Sequence, residues 1–219
     1  YSASYKLAML VTILLQAYRY AAEPFFFSQL KNRDRNKIYS HIMNVFIAFV
    51  CGVFLLVTLN LDVFKYFIQN ESYWVGLQVV PILLMANIFL GIYYNQSIWY
   101  KLSGKTKFGA YIAILGAILT IVINTIYIPA YGYMASAWAT LIVYFVQMVI
   151  SYILGQKHYP ITYNLKKFVL YIGLALIIYF TSPYLKVNNF LLNLLIQNGL
   201  LLMFVLTAIY FERKQKSPV

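Results

Sequence analysis

The stretch Phe108–Gln156, FGAYIAILGAILTIVINTIYIPAYGYMASAWATLIVYFVQMVISYILGQ, contains no Asp, Glu, Lys or Arg. A helix crossing a hydrocarbon core of about 30 Å needs roughly 20 mainly apolar residues, so this run is long enough for two spans. Ile128-Pro129-Ala130-Tyr131-Gly132 supplies the break, because Pro lacks a helical donor and Gly accepts turn geometry. Charge-free runs repeat on either side, at Ile38–Leu61, Ser72–Tyr100, Phe168–Leu185 and Val187–Phe211. With a first helix over 4–28, the expected spans are 4–28, 39–60, 75–100, 108–128, 133–155, 167–184 and 189–211. The sequence predicts an all-α integral membrane protein of about seven transmembrane helices.

Composition agrees. A hydrophobic share of 63% and a mean hydropathy of +0.73 lie far above the values of soluble chains. The net charge of +12 would suit nucleic acid in a soluble protein, but its placement points to membrane topology and to no nucleic-acid partner. Lys31, Arg33, Arg35 and Lys37 follow the first span, and Lys101, Lys105 and Lys107 the third. Lys157, Lys166 and Lys167 follow the fifth span, and Arg213, Lys214 and Lys216 the last. The alternate loops hold only Lys65 and Lys186 as cations. Short loops rich in Lys and Arg stay in the cytoplasm, so the C-terminus is expected inside. Leu61–Trp74 on the outside has room for a short interfacial helix. Cys51 lies mid-span and is read as packing. The chain opens at Tyr1, almost at the membrane face, and is expected to be the later part of a larger transporter-sized protein.

The first span is the unusual one. Thr12, Gln16, Arg19 and Glu23 are spaced 4, 3 and 4 apart. At 100° per residue they fall within an arc of about 60°. Lys6 lies about 100° from that arc. A charge near the bilayer middle costs at least roughly 2.5–3.5 kcal/mol, so Arg19 should face protein or water and not lipid. Two readings follow: an Arg19–Glu23 ion pair that joins helices, or a polar stripe lining an aqueous cavity. Pro24 removes the hydrogen bond to the Tyr20 carbonyl and marks a candidate hinge. Weaker polar faces carry Asn87, Gly91, Tyr94 and Asn95 in the third span, and Gly116, Thr120, Asn124 and Tyr127 in the fourth. Buried Asn serves as interhelical glue or lines a path.

Catalysis finds no support. Gly104-Lys105-Thr106 resembles the end of a phosphate-binding loop, but Trp99 stands where its first glycine belongs. His41 and His158 have no Cys or carboxylate at metal-ligand spacing, and no nucleophile–His–acid set is apparent.

Several segments carry a family resemblance. Tyr5-Lys6-Leu7 and Gln16-Ala17-Tyr18-Arg19-Tyr20-Ala21-Ala22-Glu23-Pro24-Phe25 resemble the first helix of the second lobe in bacterial polysaccharide flippases. So do Val80-Pro81-Ile82-Leu83-Leu84, Tyr93-Tyr94-Asn95-Gln96-Ser97-Ile98-Trp99-Tyr100-Lys101-Leu102 and Gly104-Lys105-Thr106 in their order and spacing. Ile128-Pro129 with Gly132 through Thr140 is similar to the family's IP-x-x-G-x-x-G-A-A-x-A-T element, with Ala135 and Ser136 replacing its second glycine and first alanine. These are lipid-linked oligosaccharide flippases of the multidrug/oligosaccharidyl-lipid/polysaccharide (MOP) superfamily.

The resemblance implies two lobes of about six helices around a cavity that opens to either side in turn. Residues 1–184 would form the six-helix second lobe, and 185–219 a terminal transmembrane helix with a short basic tail. The first lobe, absent from this chain, would be its partner, with membrane lipid and a lipid-linked oligosaccharide on a polyprenyl pyrophosphate. The location implied is the bacterial cytoplasmic membrane. Arg19 and Lys6 would meet the pyrophosphate, with Thr12, Gln16, Glu23, Asn87, Asn95 and Asn124 lining the cavity. No cofactor is implied, and H⁺ and Na⁺ are the candidate coupling ions. A drug or cation antiporter would instead use Glu23 as its ion-binding carboxylate. A membrane-bound glycan polymerase or acyltransferase would want a large outer loop or a His/Asp set. The topology predicts that a reporter fused after Lys105 reads cytoplasmic and one after Asn188 external; the reverse pattern would refute it.

Overall fold

The computed structural model describes residues 2–67 and 71–214, with the backbone alone for 2–10, 67, 71–73 and 75. Its helices are α1 (Ser2–Ser28), α2 (Arg35–Leu59), α3 (Leu61–Phe64), α4 (Val80–Gln96) and α5 (Ile98–Leu102). They continue with α6 (Lys107–Tyr131), α7 (Tyr133–His158), α8 (Leu165–Thr181) and α9 (Phe190–Lys214). The described residues contain no strand. Among the described residues, six segments are long and apolar enough to cross a membrane: Arg35–Leu59, Gly76–Leu102, Lys107–Tyr131, Tyr133–His158, Leu165–Leu185 and Phe190–Lys214. By length and composition the chain is an all-α, multi-pass membrane protein. The expected seventh span, α1, is 27 residues long but is not among the six. Its described part carries Gln16, Arg19 and Glu23, which lower its hydropathy.

Two boundaries differ from the sequence reading. The break in the long uncharged run falls within the expected Ile128–Gly132 segment, at Gly132 alone, so α6 runs on to Tyr131 where the span was expected to end at 128. Pro129 sits inside the last turn of α6, and Gly132 has φ +57° and ψ −141°, a conformation open to glycine. The span expected over 75–100 is three pieces. A 3₁₀ segment at Glu71–Val79 leads into α4, where Pro81 occupies the first turn, and a turn at Ser97 separates α4 from α5. The Ser97 hydroxyl donates to the Tyr94 carbonyl at 2.6 Å, within this turn. Between Leu61 and Trp74, α3 supplies the short helix expected there.

Helices α2 and α4 are central. α4 packs on α1, α2 and α7, and α2 packs also on α8 and α9. α6 lies outermost, against α7. Leu15, Phe46, Ile47, Cys51, Leu55, Leu84 and Ile88 belong to the main apolar core, with Cys51 fully enclosed. The helix ends rich in Lys and Arg, hereafter the basic end, are tied by polar contacts. Arg35 Nε donates to the Tyr159 hydroxyl at 3.1 Å, and Asn36 Nδ2 to the Pro160 carbonyl at 3.3 Å. Glu212 of α9 accepts from Lys167 Nζ and the Tyr171 hydroxyl of α8, each at 2.6 Å, and its other oxygen faces His41 Nδ1 of α2 at 3.4 Å.

A tight approach between helices in the core falls at Gly91 of α4. A Cβ there would stand 2.4 Å from Phe46 Cζ and 3.1 Å from Leu15 Cδ2. Phe46 is itself pinned by the Tyr18 ring, with centroids 4.4 Å apart. We expect Gly91→Ala to lower stability in detergent by about 1–3 kcal/mol, the usual cost of overpacking. Gly173→Ala, where a Cβ meets nothing within 4 Å, should be neutral or slightly stabilising. Thermal unfolding of the two variants checks the pair, and equal effects would contradict the packing described.

Candidate functional site

The buried seam of α1 is Val11, Leu15 and Phe26, with Tyr18 half-buried on the same side. These positions recur at helical spacing, so the rotation of α1 about its axis is fixed by its apolar face. The stripe Thr12, Gln16, Arg19 and Glu23 therefore lies along the edge of the seam. The Thr12 hydroxyl donates to Asn87 Oδ1 of α4 at 3.2 Å. Gln16 is exposed, while Arg19 and Glu23 are half-buried.

Arg19 and Glu23 do form the i,i+4 pair that the sequence suggested, Nε to Oε1 at 3.5 Å. It is not an isolated pair. Lys101 Nζ of α5 hydrogen-bonds the same Glu23 Oε1. The Arg19 guanidinium carbon lies 5.0 Å from the centroid of Tyr94 on α4 and 5.4 Å from that of Tyr20, within cation–π range. Arg19 Nε is enclosed and has no hydrogen-bond partner among the described residues. Arg19, Lys101 and Glu23 thus share one carboxylate between two cations and leave one positive charge over. Their side chains are 33%, 24% and 32% exposed, so water or a ligand can reach them. At that exposure the ion pairs contribute little to stability.

The asparagines divide. Asn87 and Asn95 are 5% and 3% exposed and face the α1–α4 interface. Asn95 Oδ1 accepts from the Tyr18 hydroxyl at 2.7 Å, and its Nδ2 donates to the Gly91 carbonyl at 3.1 Å. Both asparagines act as ties between helices, the first of the two roles that buried Asn can take. Asn124 lies on α6, away from this cluster, and its Oδ1 is buried without a hydrogen-bond partner among the described residues. Pro24 lies within α1, which continues to Ser28, so it does not end the helix. The side chain of Lys6 lies outside the described residues.

Sequence reasoning missed Lys101 as a site residue, because it was counted with the basic loops. Its partner Glu23 is 78 residues away, and no local spacing joins them. His41, alone in sequence, faces Glu212 in space. His158 stacks on Trp99 at 5.7 Å and 15° and contacts Phe108 at 4.8 Å, an aromatic setting at the basic end. No group of three or more His, Cys, Asp or Glu suited to a metal occurs among the described residues. A cleft of about 460 Å³ between α2 and α9 is lined by apolar side chains apart from Glu212 and does not include the Arg19 cluster.

Comparisons with protein-family models, with curated proteins and with solved structures found no match.

Proposed function

We propose that this chain is the second lobe of a flippase that moves a polyprenyl-pyrophosphate-linked oligosaccharide across the bacterial cytoplasmic membrane, with α9 as an added helix and the C-terminus cytoplasmic. The observation that carries the reading is the cluster of Arg19, Lys101 and Glu23, two cations on one carboxylate beside an accessible polar stripe. A phosphate entering beside α1 meets an excess positive charge. Arg19 can bind its oxygens bidentately, while Tyr94 and Tyr20 hold the plane of the guanidinium. Lys101, already bound to Glu23, adds field without a free grip, which favours release after binding.

The same geometry weighs against an antiporter in which Glu23 carries H⁺ or Na⁺. That carboxylate already has two cationic partners, and an ion would have to displace them.

In the intact protein, Arg19→Ala should cut surface glycan by roughly tenfold or more at normal insertion, since a lost charge-assisted contact costs about 1.5–3 kcal/mol. Arg19→Lys should keep part of the activity, because charge survives and the planar fork does not. The double change Arg19→Gln with Glu23→Gln should stay inactive. Normal export from it would leave Arg19 a structural partner of Glu23 and overturn the reading. A cysteine at Gln16 should react with a membrane-impermeant thiol reagent, while one at Leu14, about 200° round the helix, should stay protected in lipid. Equal labelling would remove the aqueous face.

A further inference from the structure

A cavity of about 260 Å³ lies between α2, α4, α7 and the start of α8, apart from the Arg19 cluster and from the reading built on it. Its wall combines the rings of Phe145, Phe168 and Tyr152 with the thioether of Met148. Three amides interrupt this apolar surface, Asn44 of α2, Gln96 of α4 and Asn164 just before α8, whose Oδ1 already accepts from Lys167 N at 3.1 Å. Gln96 is 5% exposed, and its Oε1 is buried with no hydrogen-bond partner among the described residues. An unpaired buried acceptor is costly, by about 1–3 kcal/mol, so a donor brought to it is favoured by that margin.

The lining contains no Lys, Arg, Asp, Glu or His. Burial above all pushes the Tyr163 hydroxyl up, so this neighbour too stays neutral at physiological pH. The volume falls below the roughly 300–1,000 Å³ of sites for drug-sized ligands, which excludes an oligosaccharide carrier. Phe145 is also exposed on the exterior of the bundle, so the cavity can be reached from outside.

We infer that this cavity is a binding site for a small neutral aromatic molecule bearing one hydroxyl or N–H donor, held by that donor on Gln96 Oε1 and by its ring against Phe145, Phe168, Tyr152 and Met148. Aromatic rings and a thioether favour a ring-shaped guest through edge-to-face and sulfur–aromatic contacts. An anion finds no cation there, and a saturated lipid tail leaves Gln96 unpaired. Because the site touches four helices, an occupant bound to this arrangement alone stabilises it against any other by mass action.

The test uses the full chain in detergent with 4-iodophenol and 4-iodoanisole, which share a ring and differ in the donor. Saturable binding is read from the rise in unfolding temperature with ligand concentration. The phenol should bind about tenfold or more tightly than the anisole, the factor set by one hydrogen bond to a buried acceptor. Gln96→Leu replaces the amide by an apolar side chain of similar size and should still fold. It should bind both probes with equal affinity, close to that of the anisole on the unaltered chain. Equal affinities of the two probes for the unaltered chain, as a lipid-tail groove would give, overturn the assignment. So does a preference for the phenol that survives in Gln96→Leu. No saturable shift with either probe would mean a cavity filled by water alone, and would equally overturn it.

Discussion

The seam between α1 and α4 sets the position of everything of functional interest. Glycine at position 91 lets Phe46 and Leu15 close on the α4 backbone, and two hydrogen bonds, Thr12 to Asn87 and Tyr18 to Asn95, cross the same interface. Inside a membrane protein an unpaired buried amide has no water to turn to, so these bonds resist rotation as well as separation. Turning α1 by one residue, about 100°, would carry Arg19 away from Tyr94 and part Glu23 from Lys101. The apolar face and its polar ties therefore decide where the charges stand, and the charges do not decide the packing.

Much of this is legible in the sequence. Membrane spans are written in composition, because a charge-free run of bilayer length has few soluble alternatives, and the stripe on α1 follows from helical spacing alone. The contacts of the stripe were not legible. Lys101 reaches Glu23 only because the chain turns at Ser97 and sets α5 beside α1, and that turn depends on tertiary packing. Asn87 and Asn95 had two open roles in the sequence, and only their burial against α1 selects between them. Ile128–Gly132 was read as the break, with Pro129 and Gly132 sharing the task; the last turn of α6 accommodates Pro129, and the positive φ of Gly132 alone makes the corner.

Glu23 and Glu212 solve the same problem in two places. Each is a helix-borne carboxylate in a basic neighbourhood, shared between a lysine of another helix and a second basic group. Glu23 cross-links α1 to α5, and Glu212 cross-links α9 to α8 and α2. The N-terminal part of α9 is held differently, by reciprocal amide contacts of Asn60 and Asn198 at 3.0 and 3.4 Å, and Lys186 in the loop before it reaches Asp62 of α3 at 2.8 Å. Between these ties Phe204 and Ala208, in the middle of α9, are buried in the main core beside the apolar cleft against α2.

The corner at Gly132 bears on how the chain is built during synthesis. Only 11% of the apolar window of α6 is buried, and its chief partner is α7, joined to it by a single non-helical residue. The side chain of Gln147 on α7 fills the notch over Gly116 and donates to the Ile112 carbonyl at 3.2 Å. Until α7 arrives, that face of α6 has lipid or the insertion machinery as its only neighbour. The two helices are thus suited to enter the bilayer together as one hairpin, so that α6 reaches its final surroundings only when the ribosome has completed α7.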